Sequence, residues 1–218
     1  MVTTTLSPAN HRLAESCFLM PQGTEPRFLM WVDAVGGYLV CPADEVIIGQ
    51  AVPEAKADIP IFGDLSRKHA VIARDGESYL MVPHAKTFIN GVESPKATLL
   101  HDGDEIRFGQ SVEMRFRQPH PLSSTGRLEF TSHHRTQPSA DGVILMSNTC
   151  ILGPSMKNHV VCRKWEHDVV LIRQGKRLQC HSSSDFEIDG ATVKKKEDIT
   201  MNSRICGSDF CLTLEQID

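Results

Sequence analysis

Apolar and polar residues alternate with a period of two along most of the chain. They do so in short β-branched runs broken roughly every ten residues by Gly, Pro, Asn or Asp. No segment keeps apolar residues at i, i+3, i+4 and i+7 over three helical turns. Asn10–Met20 comes nearest and is read as part of an N-terminal arm over residues 1–24. The alternation predicts strands at Arg27–Asp33, Gly37–Cys41, Glu45–Gly49, His69–Arg74, Ser78–Val82, Thr87–Asn90, Glu105–Phe108 and Val112–Arg117. Turns are expected at Gly36-Gly37, Asp75-Gly76, Asn90-Gly91 and Asp102-Gly103. Many short strands at this spacing predict an all-β chain built as antiparallel sandwich or barrel.

The pattern also repeats. Gly76 and Gly175 each close a short apolar run and lie 99 residues apart, and the same offset carries Asn90-Gly91 onto Asp189-Gly190. One residue of slack brings Arg107-Phe108-Gly109 over Ile205-Cys206-Gly207 and Phe116 over Leu214. Further upstream, Val46-Ile47-Ile48-Gly49 pairs with Cys150-Ile151-Leu152-Gly153. Four anchors in order with small gaps predict two copies of one β-domain, over 25–117 and 127–218. Residues 118–126 between them are rich in Pro and Ser and read as a short linker.

Composition narrows the function. The 218 residues carry 23 Lys+Arg against 27 Asp+Glu, a net charge of −4, which argues against nucleic acid as the main partner. The acidic excess belongs to the first copy: ten basic and fourteen acidic residues fall in 25–117, and twelve of each in 127–218. The longest apolar stretches, such as Phe28–Val32 and Val143–Met146, are far too short to cross a bilayer. The first residues lack the basic start and apolar core of a secretion signal, so a cytoplasmic location is expected. Seven cysteines without a C-x-x-C pair read as seven reduced thiols, mostly in cores.

The first copy contains a recognisable string. It runs Ile47-Ile48-Gly49-Gln50, Leu65-Ser66-Arg67-Lys68-His69-Ala70, Thr87-Phe88-Ile89-Asn90-Gly91, then Asp102-Gly103-Asp104-Glu105-Ile106-Arg107-Phe108-Gly109. Over about residues 25–117 this resembles the forkhead-associated (FHA) domain, a β-sandwich whose loops at one end bind phosphothreonine peptides. The resemblance implies two tandem FHA-like antiparallel β-sandwich domains, the second degenerate and assigned through the repeat. It also implies an adaptor with no enzymatic activity, no cofactor and no small-molecule substrate, its partner a protein or a phosphothreonine-containing peptide.

By the same resemblance Ser66 offers a hydroxyl to the phosphate and Arg67 a basic side chain. His69 braces the loop, with Gly49 and Asn90 as further structural positions. The family's arginine after the third-strand glycine is replaced by Gln50, which brings no charge and no planar fork. The family's backbone-holding asparagine is replaced by Ala85. A lost charge-assisted hydrogen bond costs on the order of 1.5–3 kcal/mol, so Lys68, Lys86 and His84 are the expected sources of replacement charge. In the second copy Trp165, Glu166, His167 and Asp168 stand opposite Ser66–His69, and Pro154 follows Gly153, so no phosphopeptide binding is expected there. The alternative is a scaffold that makes phosphate-independent contacts through the paired sandwiches.

Other groupings carry less. His159, Cys162, His167, Cys180 and His181 do not follow a zinc-module spacing, and no metal is expected. Lys194-Lys195-Lys196 follows a turn and reads as a solvated loop. No catalytic Ser/His/Asp or Cys/His constellation has a supporting motif.

Overall fold

The computed structural model describes residues 26–120 and 122–217. The arm expected over residues 1–24, with Cys17, lies outside them. The described residues form 22 strands and no helix. The first eleven are β1 (Phe28–Val32), β2 (Gly36–Cys41), β3 (Glu45–Gln50), β4 (Ile59–Ile61), β5 (Ala70–Asp75), β6 (Ser78–Pro83), β7 (Thr87–Ile89), β8 (Val92–Glu93), β9 (Thr98–Leu100), β10 (Glu105–Phe108) and β11 (Val112–Arg117). The rest are β12 (Gly126–Phe130), β13 (Gly142–Leu145), β14 (Thr149–Gly153), β15 (Val160–Val161), β16 (Val169–Gln174), β17 (Arg177–Ser182), β18 (Phe186–Ile188), β19 (Ala191–Val193), β20 (Lys196–Ile199), β21 (Arg204–Cys206) and β22 (Cys211–Gln216).

All eight strands anticipated from alternation are present to within one or two residues at either end. Three others, β4, β8 and β9, are only two or three residues long, too short to show a period, and β4 contains Pro60. One turn sits earlier than expected: Asp33–Val35 makes it, and Gly36-Gly37 already belong to β2. Gly37 is there because the Trp31 ring crosses it; a Cβ would lie 2.3 Å from Trp31 Cζ3. The repeat anchors share backbone conformation. Gly76 and Gly175 both have φ +60°, and Asn90-Gly91 (+50°, +78°) matches Asp189-Gly190 (+53°, +85°), the paired left-handed residues of a type I′ hairpin turn.

The strands form one twelve-stranded sheet and two five-stranded sheets. The long sheet runs β19-β18-β21-β22-β1-β2-β13-β12-β11-β10-β7-β8, and the short ones β4-β3-β5-β6-β9 and β15-β14-β16-β17-β20. The last strand of the first repeat, β11, pairs with β12, whereas β1 pairs with β22 at the other end of the chain. Each repeat therefore gives its opening hairpin to the other. The exchanged hairpins meet at the centre, where β2 and β13 pair in parallel from Tyr38↔Gly142 to Cys41↔Leu145. Residues 123–126, inside the expected linker, are tied to both repeats: the Tyr79 hydroxyl donates to the Ser124 carbonyl at 2.6 Å, and Thr125 Oγ1 donates to the Thr149 carbonyl at 2.6 Å.

Two cores lie on opposite faces of the long sheet. Leu29, Leu39, Cys41, Val143 and Leu145 point into the first, and Phe28, Met30, Val40, Ile144 and Met146 into the second. Strands buried on both faces read as continuous apolar runs; hence the unbroken stretches Phe28–Val32, exposed only at Trp31, and Val143–Met146. The expectation of seven reduced thiols is corrected. Cys41, Cys150, Cys162 and Cys180 are free and buried, but Cys206 and Cys211 form a disulfide. They face each other across the β21–β22 hairpin with Cα atoms 4.1 Å apart, a separation the alternation alone does not reveal.

Candidate functional site

Three connections converge at one end of the first short sheet: residues 51–58 after β3, 62–69 before β5 and 84–86 before β7. His69 holds them together. It is 3% exposed. Its backbone N–H donates to the Ile48 carbonyl at 2.8 Å, and its carbonyl accepts from the N–H groups of His84 and Ala85, both at 2.9 Å. On the ring, Nδ1 accepts from Ser66 N–H at 3.2 Å, so Nε2 carries the proton and donates to the Lys86 carbonyl at 3.0 Å. Burial pushes the His69 imidazole below its ordinary value, which favours the neutral ring, and the two ring hydrogen bonds set its tautomer. Gly49 brings the loop close, since a Cβ there would lie 2.0 Å from the Arg67 carbonyl oxygen. Gln50 N–H donates to the Ser66 carbonyl at 3.0 Å.

These bonds frame an open cleft of about 410 Å³, lined by Ser66, Ala85, Lys86, Arg107 and Gln110, with Asp64 and Phe88 at its walls. Ser66 and Lys86, anticipated from sequence, are both in it. Arg67, Lys68 and His84 lie on the bordering loops and Gln50 at the end of β3, none of them in its lining. Asn90 sits at the far end of β7: its Nδ2 donates to Asp104 Oδ1 at 2.8 Å and its Oδ1 accepts from Glu105 N–H at 2.9 Å. It braces the β7–β8 turn against β10, not the loop that carries Ser66.

Arg107 was not anticipated. Its guanidinium lies 3.8 Å from the Phe88 ring centroid, within cation–π range, and Nη1 donates to the Gly109 carbonyl at 3.1 Å. Lys86 Nζ lies 5.4 Å from the same ring and 3.9 Å from Glu93 Oε2. The signal was a cross-strand pair: Arg107 is opposite Phe88 in the β7–β10 ladder, and alternation turns both away from the core. The cleft thus offers one hydroxyl, two cations and an aromatic wall, a donor set for an oxyanion on a short peptide.

The matching end of the second repeat is filled. Trp165 is buried against Phe210, ring centroids 5.3 Å apart, and Phe210 lies 6.5 Å from Phe186. The brace there is a carboxylate: Asp168 Oδ1 accepts from Asn158 Nδ2 at 2.6 Å. His159 is fully buried; its Nδ1 accepts from Ile151 N–H at 2.8 Å, while Nε2 has no partner. Among the described residues no three His, Cys, Asp or Glu side chains gather as a metal site.

The family model described as FHA domain matches residues 46–109. The kinesin-like protein KIF14 of Mus musculus is 33% identical over 75 residues, which is 33% of this chain and 4% of the kinesin, so the shared stretch is a small part of that protein. A structure solved in a study of phosphothreonine-dependent FHA domain interactions is 28% identical and covers 44% of this chain and 99% of its own, with a TM-score of 0.33. The FhaA FHA domain, complexed with the intracellular domain of Rv3910, is 25% identical and covers 38% of this chain and 91% of its own, with a TM-score of 0.28. The stretch that builds the cleft, residues 46–109, is an FHA domain.

Proposed function

We propose that the cleft of the first repeat binds a phosphothreonine-bearing segment of a partner protein, and that the chain works as a non-enzymatic adaptor in the cytoplasm. The observation that carries this is the meeting in one cleft of Ser66 and Lys86, on loops pinned by His69, with Arg107 on β10. Arg107 supplies the guanidinium that Gln50 lacks. Its Nη1 is engaged by Gly109, and among the described residues no carboxylate pairs with it, so a phosphate competes with no internal anion for it. Phe88 beneath the guanidinium limits its rotamers, which lowers the ordering cost of binding. We read the second repeat as an FHA-like unit whose filled end makes protein contacts without phosphate, and the net charge of −4 as unsuited to nucleic acid.

A degenerate phosphothreonine peptide library is bound to the full chain beside its unphosphorylated twin. Preference for the phosphorylated set is expected. Arg107→Ala should weaken binding by about ten- to a hundredfold, the worth of one charge-assisted hydrogen bond of about 1.5–3 kcal/mol. Ser66→Ala should weaken it by about fivefold, near 1 kcal/mol. Equal binding of both libraries, or indifference to Arg107→Ala, sinks the reading.

A further inference from the structure

Strands β4 and β15 are matching edge strands of the two short sheets, with Pro60 and Val161 in the same place: each lies opposite the conserved-in-repeat glycine of its neighbour, Gly49 or Gly153. The edge of β4 is covered. In the eleven-residue connection Thr131–Asp141 between β12 and β13, Thr136 bridges Ile61 in antiparallel sense. Phe62 N–H donates to the Arg135 carbonyl at 3.2 Å, and Gln137 N–H donates to the Pro60 carbonyl at 2.8 Å. An extended stretch of the exchanged hairpin thus acts as a sixth strand on the first short sheet.

The exchanged hairpin at the other end has only the three residues Asp33–Val35 between its strands, and it leaves β15 without such a cover. Among the described residues β15 pairs with β14 alone. The parallel ladder places Val160 and Cys162 toward β14, with Cys162 N–H donating to the Gly153 carbonyl at 2.8 Å. By alternation the N–H and C=O of Val161 point the other way. Beside them runs a groove of about 320 Å³ between Asp33–Val35 and the second repeat, where Met156 is 67% exposed and Arg163 and Lys164 form the rim. Exposed edges are ordinarily blunted by charge or by a covering segment. The edge strand β20 at the far side of the same sheet has that protection in Lys196, Glu197 and Asp198, all exposed. Among the described residues Val160–Val161 has neither charge nor cover.

We propose that the free edge of β15 is a docking site for an extended, acidic peptide segment of a partner protein, which adds antiparallel as a sixth strand. Strand addition takes its affinity from main-chain hydrogen bonds and its preference from flanking side chains. Here Val161 offers a donor and an acceptor where β4, with Pro60, offers only the acceptor. Val35 and Met156 take an apolar side chain, and Arg163 and Lys164 take carboxylates. The site is separate from the Ser66 cleft.

The test uses the full chain and a displayed library of random nine-residue peptides. Enriched peptides should alternate apolar and acidic residues, and binding should slow hydrogen exchange of the Val161 amide, which exchanges freely beforehand. Val161→Pro removes the outward N–H without touching a ladder bond, and Pro60 shows that this position accepts proline. It should weaken the selected peptides at least tenfold with no change in Tm, while Ser66→Ala leaves them unaffected. No enrichment, enrichment of peptides indifferent to Val161→Pro, or loss of binding on Ser66→Ala overturns the proposal. So does a Val161 amide already protected without peptide: at all concentrations the chain's own arm covers the edge, and with rising concentration a second copy does.

Discussion

At the end of the first short sheet Leu65 is buried and the next three residues, Ser66, Arg67 and Lys68, face water. At the matching end of the second, Trp165 is buried and Glu166, His167 and Asp168 face water. The burial rhythm is the same but one residue out of step. On the 99-residue offset buried Trp165 stands opposite exposed Ser66 and exposed Asp168 opposite buried His69, so the chemistry differs. In the first repeat Gly109 lies against the loop backbone, where a Cβ would be 2.8 Å from the Asp64 carbonyl oxygen, and it lines an open cleft together with Arg107 and Lys86. In the second, the Phe210 ring lies across the corresponding glycine; a Cβ on Gly207 would meet it at 2.2 Å. Its contact with Trp165 closes the space. The shared strands therefore set where loops end, and a few side chains decide whether that end is a cleft or a plug.

The plug is tested most severely by Trp165→Ala. Removing a buried indole should cost about 3–5 kcal/mol of stability, read by chemical denaturation, while phosphopeptide binding at the other end stays within experimental error. A loss of binding in step with stability would mean that the two ends are not independent. The next effect is acid sensitivity. Burial, with smaller contributions from the neighbouring His120 and Arg127, pushes the His159 imidazole down to about 4. The unfolded chain then takes up the proton first, near 6.5, so stability is full above that pH and is lost as pH falls toward 4. At 1.36 kcal/mol per pH unit the loss is about 3 kcal/mol. Denaturation curves between pH 7 and 4 for the wild type and His159→Gln should diverge by that amount. The smallest effect sharpens the first end: Gln50→Arg adds a charged donor at the end of β3 beside the cleft and should tighten phosphopeptide binding by about tenfold. No change would mean that Arg107 already fills that role.

Period-two alternation reveals most strands of the first repeat because one-sided burial writes itself into the sequence, as in Val112–Arg117, whose apolar residues at 112, 114 and 116 are all buried. It could not reveal the exchange of hairpins. Strand partners depend on long-range geometry, and the only local trace is the unbroken apolar runs Phe28–Val32 and Val143–Met146, which mark strands covered on both faces. The motif string led to Ser66, Lys86 and the His69 brace, because loop spacing in this fold is tight. Arg107 escaped because its role arises from a neighbour on another strand, Phe88, and not from its place in the chain.

Strand β1 is synthesised well before its neighbour β22; the Trp31 indole N–H donates to Glu215 Oε2 across 184 residues. Pairings that distant in sequence close slowly, because loop-closure entropy must be lost before any contact rewards it. The hairpin β1–β2 therefore waits for those 184 residues to be made before its permanent partner exists. Meanwhile β11, complete at residue 117, presents the edge that β12 will later occupy. Assembly of this protein is a problem of timing: the first hairpin must stay off the nearer edge until the farther one exists.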